Sequence, residues 1–578
     1  MQKPYNDALG DVPHPFIATR REINLQIDDG SWSLSAAEAR RTVQRPEAFG
    51  TRGMVCSAHP VAAFIGLNVL QRGGNAFDAA IAVAAAEGVV LPMKCGVGGD
   101  AFVVLHDARK NETVAFNGSG VSASGATADY YRSQGHKSMP LNGVHAVSVP
   151  GAVSAYEALW RRYGSLDWPE LWEPAIRLAE DGVAITKYVS ARIADRADTL
   201  ATFPYSATQF LPNGRVPAAG ERWNAPNLAN TLRIVANGGA DAFYRGEIAA
   251  KLVAFPKTEG QTFTADDFAR QQAVMYTPIA TQYRDATVYV TAPPSQGLLV
   301  LEQLNIIEGF DLGKLAPFSA ERMHLLIEAK KLAFADRNRY AGDPDFVKWP
   351  LQTLISKEHA ARRRAAIDAN RARWPDGAQL PEHAGDTSYF AVADGSGNAI
   401  SFIHSLSNAF GSCVVAGETG ITLNNRAGRG FSLDPGHPNC IAPGRRTMHT
   451  LNAYLAYRNG RPWLVGGTPG GDQQVQWNVQ MISNLIDHGM SLQDSVEAPR
   501  FHSFPGTDPA NLGRAPVVKV DERVPQAVRQ ALTQLGHTVE TLPAWSGGGA
   551  VQLIEFNHAN GVLRGASDPR PGGLALGF

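Results

Sequence analysis

The sequence predicts a layered α+β fold, and three observations carry that expectation. Apolar residues recur with helical spacing through much of residues 60–373, the period shortens to about two after residue 388, and Asp394-Gly-Ser-Gly-Asn398 punctuates two of the later strands as a hairpin. Residues 1–50 are polar, with scattered Pro and Arg, and read as an N-terminal extended arm on the body. Pro60 suits the first turn of a helix with an apolar face of Val61, Phe64, Ile65, Leu67 and Leu70, stopped by Gly73-Gly74. An Ala-rich helix follows over 79–91, apolar all round and so expected to be buried. Gly96-Val-Gly-Gly99 leads into a strand at 102–105. From Gly151 to Arg373 the pattern is mostly helical, at 153–163, 172–181, 228–236, 298–307 and 320–337. Residues 374–385, rich in Pro and Gly, form the clearest boundary and read as an exposed loop. Strands are then expected at 389–393, 399–404, 452–457 and 462–465, a helix at 475–488, and late strands near Val517 and at 551–555.

Composition narrows the function. With 44% hydrophobic residues in 578, the chain can bury a large core without disulfides or metals, which excludes a disordered or fibrous protein. Fifty-three basic and 54 acidic residues leave a net charge of -1, so no global field attracts nucleic acid or an anionic membrane, and a small-molecule substrate is the expected partner. Four cysteines without a Cys-x-x-Cys pair read as reduced thiols. The first residues lack the apolar run of a secretory signal, and the most apolar stretch, 76–93, carries Asp78, Glu87 and Pro92; a cytoplasmic protein is expected. Arg362, Arg363, Arg364, Arg371 and Arg373 lack interleaved aromatics and read as a solvated helix face.

The common catalytic motifs are missing: there is no Gly-x-Ser-x-Gly, P-loop, His-Glu-x-x-His or paired Cys/His set, so neither metal nor cofactor is expected. Gly96-x-Gly98-x-x-Ala101 has dinucleotide-loop spacing, but follows a helix and precedes a strand, the reverse of the order that loop needs. One feature stands out. A threonine, Thr387, opens a strand directly after Gly385-Asp386. Cutting the bond between Asp386 and Thr387 would place a hydroxyl nucleophile and a free α-amino group, with a pKa of about 7.7–8.0, on one residue, so that no separate histidine is needed to take the proton.

At these residues the sequence resembles the γ-glutamyltranspeptidases, a family of N-terminal nucleophile hydrolases. The resemblance runs through Met54-Val-Cys-Ser-Ala-His-Pro60, Gly73-Gly-Asn-Ala-Phe-Asp-Ala79, Val149-Pro-Gly151 and Pro293-Pro-Ser-Gln-Gly297. It is densest around Asp386-Thr387, Phe410-Gly411, Leu423-Asn-Asn425, Ala442-Pro-Gly444, Pro469-Gly-Gly471 and Ala498-Pro-Arg-Phe501. It implies a four-layer αββα sandwich and a precursor that cleaves itself before Thr387. The products are a large α-rich subunit (51–386, behind the arm) and a small β-rich catalytic subunit (387–578), interlocked as a heterodimer, with further pairing left open. It implies Thr387 as nucleophile, Ser405 as a hydroxyl bonded to it, Gly470 and Gly471 as oxyanion-hole amides, and Asn425 and Ser407 as pocket residues. The implied activity is cleavage of an amide in a small carboxylate-bearing substrate of γ-glutamyl or glutathione type through an acyl-threonine, with hydrolysis or transfer to an amine. A scaffold that kept the fold and lost the chemistry is the alternative from another class.

The substrate-selecting positions depart from the family pattern. Asn117-Gly-Ser-Gly120 puts about Ser119 where the family has a carboxylate-binding arginine. Arg446 and Thr447 replace adjacent serines before Met448, and Arg429 falls where an acid should hold the substrate's ammonium. The stretch Asn425-Arg426, Phe431-Ser-Leu-Asp-Pro435-Gly-His-Pro-Asn439 and Ala442-Pro-Gly-Arg-Arg446 more closely resembles a divergent branch that includes an oxamate amidohydrolase, whose substrate has no ammonium group. Arg426, Arg429, Arg445 and Arg446 either read a substrate carboxylate or form ion pairs with Asp434, Asp472 or Glu418.

Overall fold

A computed structural model describes residues 45–257, 260, 263–373, 386–504 and 516–578. The expected arm over 1–44 and the expected loop at 374–385 lie outside these residues; residues 48–50 are a short strand rather than part of an arm.

Two antiparallel seven-stranded sheets form the centre. In the first, the strands run Leu574–Gly577, Gly53–Ser57, Asp386–Asp394, Ala399–Ser407, Asp100–Asp107, Glu112–Gly118 and Val274–Tyr276. In the second they run Ala48–Gly50, Val562–Ser567, Gln552–Asn557, Arg461–Gly467, Tyr454–Arg458, Ala286–Val290 and Ile279–Tyr283. Three apolar clusters separate four layers. Met54, Phe102, Tyr389, Leu455, Val465 and Ile554 fill the space between the sheets. The helices Pro60–Gln71, Ala76–Val90, Ala152–Tyr163 and Trp168–Asp181 cover the first sheet, and Leu298–Ile307, Ala320–Tyr340 and Gln473–Ile486 cover the second. This is the four-layer αββα sandwich.

The strand Asp386–Asp394 shows how the sequence builds it. Tyr389, Ala391 and Ala393 face the other sheet, whereas Phe390 and Val392 face the helices. Period-two alternation here sorts residues between two apolar interfaces, not between core and water, which is why the run reads as continuously hydrophobic. The Ala-rich helix starts three residues earlier than expected because Asn75 and Asp78 form a capping box: Asn75 Oδ1 accepts from the amides of Phe77 and Asp78 at 2.8 and 3.0 Å, and Asp78 Oδ2 accepts from Asn75 N at 2.9 Å. The hairpin aspartate, Asp394, accepts from Ser396 N and from the amide of Ala76 at that helix's N-terminus, both at 2.9 Å. Hairpin and helix are thereby joined.

The middle of the chain is mostly helical, as expected, but it also carries strands that the pattern does not show. Val274–Tyr276, Ile279–Tyr283 and Ala286–Val290 are strands, and the last two are edge and neighbour in the second sheet. Residues before Thr387 thus contribute four strands to the first sheet and three to the second. All four cysteines are unpaired, and no described helix is long and apolar enough to cross a membrane.

Candidate functional site

Thr387 sits one residue into its strand, at a register irregularity between Asp386, opposite Ser407, and Ser388, opposite His404. Such a bulge re-aims one side chain. Thr387 is 1% exposed, and its Oγ1 lies 3.0 Å from Ser405 Oγ on the adjacent strand. Ser405 Oγ donates to the carbonyl oxygen of Asp386 at 2.9 Å and accepts from Ser407 N at 2.8 Å. With its one proton given to Asp386, Ser405 takes its remaining bond with Thr387 as acceptor, so the Thr387 proton points at Ser405.

The next strand presents Asp100 opposite Ser405. Asp100 Oδ1 accepts from Gly120 N at 3.0 Å, and Oδ2 accepts from Arg426 Nε at 3.3 Å. Burial pushes the Asp100 carboxyl up to about 6, against the pull of Arg426. Arg426's acid is therefore Asp100, not Asp434, Asp472 or Glu418; Asp472 pairs with Arg337 at 2.6 Å.

The other expected substrate residues spread around this core. Ser407 is buried with φ +89, and Arg429 Nη1 donates to its carbonyl at 3.2 Å. Asn425 ties two backbone groups together, accepting from Asn408 N at 3.0 Å and donating to Leu141 O at 2.9 Å, and it is not among the residues that line the cavity described below. Arg446 Nε donates to Ser119 O at 3.2 Å, which places its guanidinium beside position 119. Thr447 accepts from Asn439 at 2.8 Å and packs on Gly430, and Arg445 donates to Cys440 O at 2.7 Å beneath Phe346; both are tied into their own loop. His449 was not anticipated. It is fully buried, neither ring nitrogen has a hydrogen-bond partner among the described residues, and burial followed by Arg426, Arg446 and Arg429 holds it far below the usual imidazole range. A neutral ring among three guanidiniums is invisible to spacing arguments.

Gly470 and Gly471 have φ of +135 and +58, a left-handed pair that favours glycine. A Cβ on Gly470 would meet the Trp477 ring at 2.4 Å. Gln296 fixes the loop, donating to Gly471 O at 3.0 Å while its own oxygen accepts from Arg337. Gly470 and Asp386 both line a cavity of about 480 Å³, with Lys94, Tyr188, Trp477 and Trp545 among its walls. Lys94, also not anticipated, is 3% exposed; its Nζ lies 3.1 Å from Asp386 Oδ1 and donates to Thr387 O at 3.3 Å. Burial alone would lower its pKa, but Asp386 and Tyr188 together raise it above the usual lysine range.

Beneath the site, Glu87, Cys95 and His404 lie close enough to share an ion, but Glu87 already accepts from His404 Nε2 at 2.8 Å and from Ser57 at 2.7 Å, and His404 Nδ1 meets Tyr156 at 3.0 Å. These donor atoms serve one another.

Comparison with known proteins agrees with this geometry. The gamma-glutamyltranspeptidase family profile matches residues 62–578. The glutathione hydrolase-like YwrD proenzyme of Bacillus subtilis (strain 168) is 36% identical over 534 residues, covering 92% of this chain and 99% of its own. The oxamate amidohydrolase proenzyme of Klebsiella pneumoniae subsp. pneumoniae is 34% identical over 540 residues, covering 91% and 99%. The crystal structure of cephalosporin acylase from Bacillus halodurans superposes with a TM-score of 0.85 at 34% identity, over 96% of this chain and 99% of that one. The chain belongs to the γ-glutamyltranspeptidase family.

Proposed function

We propose that this chain cleaves itself between Asp386 and Thr387, into fragments 1–386 and 387–578, and that Thr387 then acts as an N-terminal nucleophile on a small, carboxylate-bearing amide. The carrying observation is the Thr387–Ser405–Asp386 triangle: nucleophile to hydroxyl at 3.0 Å and hydroxyl to scissile carbonyl at 2.9 Å. In self-cleavage, Thr387 Oγ1 adds to the Asp386 carbonyl as Ser405 stabilises the developing oxyanion. The hydroxyl proton passes by way of Ser405 to the amide nitrogen, the C–N bond breaks to leave a free α-amine on Thr387, and water hydrolyses the resulting ester. In turnover the new α-amino group takes the hydroxyl proton, the substrate acyl group passes to Oγ1, the amine product leaves, and water releases the acid. Gly470 and Gly471 supply the oxyanion donors. The relatives' names, with their words hydrolase, amidohydrolase and acylase, support acyl transfer to water.

Two observations favour an acid without an ammonium group over a γ-glutamyl donor. Arg429 occupies the place of the ammonium-binding acid, and Arg446 stands beside Ser119. A cavity of about 480 Å³ also exceeds what oxamate fills, so an amide with a larger amine portion suits it better. Intact mass spectrometry tests the processing: the wild type is expected as two polypeptides beginning at residues 1 and 387, and Thr387→Ala as one uncut chain without amidase activity. A Thr387→Ala protein that is still cut at that bond ends this reading. Rates on γ-glutamyl-p-nitroanilide above those on anilides of dicarboxylic acids would return the γ-glutamyl class.

A further inference from the structure

Among the described residues lining the cavity, four of the five charged ones are cations, Lys94, Arg192, Lys519 and Arg570, and the one acid is Asp386. Three of these cations have acids elsewhere: Arg192 pairs with Asp195 at 2.9 Å, Lys519 with Glu540 at 3.4 Å and Arg570 with Asp568 at 3.0 Å. Lys94 differs. Its one ion pair among the described residues is with Asp386, the residue whose carbonyl Thr387 attacks. The Lys94 backbone is anchored by Leu406 N, which donates to its carbonyl at 2.8 Å, and Nζ lies 5.1 Å from the centre of the Tyr188 ring.

In the uncut chain, then, Asp386 is the first acyl group offered to Thr387, and the pocket grips its side-chain carboxylate. Cleavage frees Asp386 to leave. A buried ammonium without its counter-ion is destabilised, so the emptied position favours a new anion. Resting on the function proposed above, we infer that Lys94 is the residue that selects the substrate's acyl group, and that it takes a carboxylate at the same distance from the reacting carbonyl as in Asp386. Two carbons separate carbonyl and carboxylate in an aspartyl group. The substrate class is the monoamide of a four-carbon dicarboxylic acid, a succinyl-type amide, and Asp386 is its built-in rehearsal. Oxamate, whose carboxylate adjoins the carbonyl, is too short to reach Nζ in this geometry.

The test compares three p-nitroanilides on wild-type protein first shown by mass to be cut before Thr387: N-succinyl, N-butyryl, which has the same chain length and no charge, and N-oxalyl. The expected kcat/KM for succinyl exceeds that for butyryl on the order of 10²-fold, mainly through KM, with oxalyl well below succinyl. Lys94→Gln is expected to collapse the succinyl-to-butyryl ratio to within a few-fold of one, and Lys94→Arg to restore much of it. If Lys94→Gln stays uncut, product inhibition of the wild type carries the test, with succinate competing against N-butyryl-p-nitroanilide at concentrations where butyrate does not. A cut wild type with no succinyl preference, or a preference that survives Lys94→Gln and is lost in Arg446→Gln, overturns the role of Lys94 and leaves the threonine mechanism standing. An uncut wild type overturns both.

Discussion

Arg426 and Lys94 are both buried cations close to Thr387, and they are held in opposite ways. Arg426 pairs with Asp100, which the sheet fixes opposite Ser405 and which Gly120 also holds. Lys94 pairs with Asp386, which belongs to the bond that the proposed reaction destroys. The first pair is permanent scaffolding and the second lasts as long as the precursor. The difference teaches that the number of cations near a nucleophile says little about which of them reads the substrate; what matters is which one loses its partner.

The largest effect that separates the two concerns stability. Arg426→Met leaves Asp100 buried without a counter-charge and is expected to cost about 3–5 kcal/mol in denaturant unfolding at pH 8. Lys94→Met in the cut enzyme should stabilise by the same measurement, because it removes an ammonium that has lost its counter-ion, whereas in an uncut Thr387→Ala chain it strands the Asp386 carboxylate and should destabilise. Equal losses in cut and uncut protein would break the comparison. Next comes Ser405→Ala, which removes the donor to the Asp386 carbonyl and is expected to slow self-cleavage by roughly 10²–10³-fold, followed as the decay of intact chain on a denaturing gel. The smallest is a pH effect. Burial raises Asp100 from 3.8 to about 6, so the folded protein binds this proton more tightly than the unfolded one. Its contribution to stability is full below about pH 4 and is lost as pH rises through about 6. The difference in unfolding free energy between wild type and Asp100→Asn should carry that slope; a flat difference from pH 4 to pH 7 removes Asp100 from the account.

Much of the fold was legible because its signals are local. The helix Leu298–Ile307 has the expected bounds, and the Asp394 hairpin lies where Gly395, Gly397 and Asn398 put it. The strands Ile279–Tyr283 and Ala286–Val290 were missed although their burial alternates, because each is five residues long and they turn at Arg284, whose φ is +54, without a glycine to mark it. At the site, Thr387 was legible from its place at a strand start and from the family resemblance. Lys94 was not: it is a single lysine in a loop, and its meaning comes from a residue 292 positions away to which it is ion-paired. Arg426's partner was missed for the same reason, since Asp100 lies 326 positions earlier and the nearby acids attract a guess based on sequence distance.

The interleaving of the first sheet bears on how the molecule dies as well as on how it works. Gly53–Ser57 lies between Leu574–Gly577 and Asp386–Asp394, so a strand from before Thr387 is held on both sides by strands from after it. Folding of the precursor is a one-body problem, with all strands on a single thread. Once the thread is severed, the halves stay laced by main-chain hydrogen bonds, but reassembly after melting becomes a meeting of two molecules and depends on their dilution. The active protein should therefore denature irreversibly under conditions where its uncut Thr387→Ala counterpart refolds, so that its lifetime is governed by the barrier to unlacing rather than by an equilibrium.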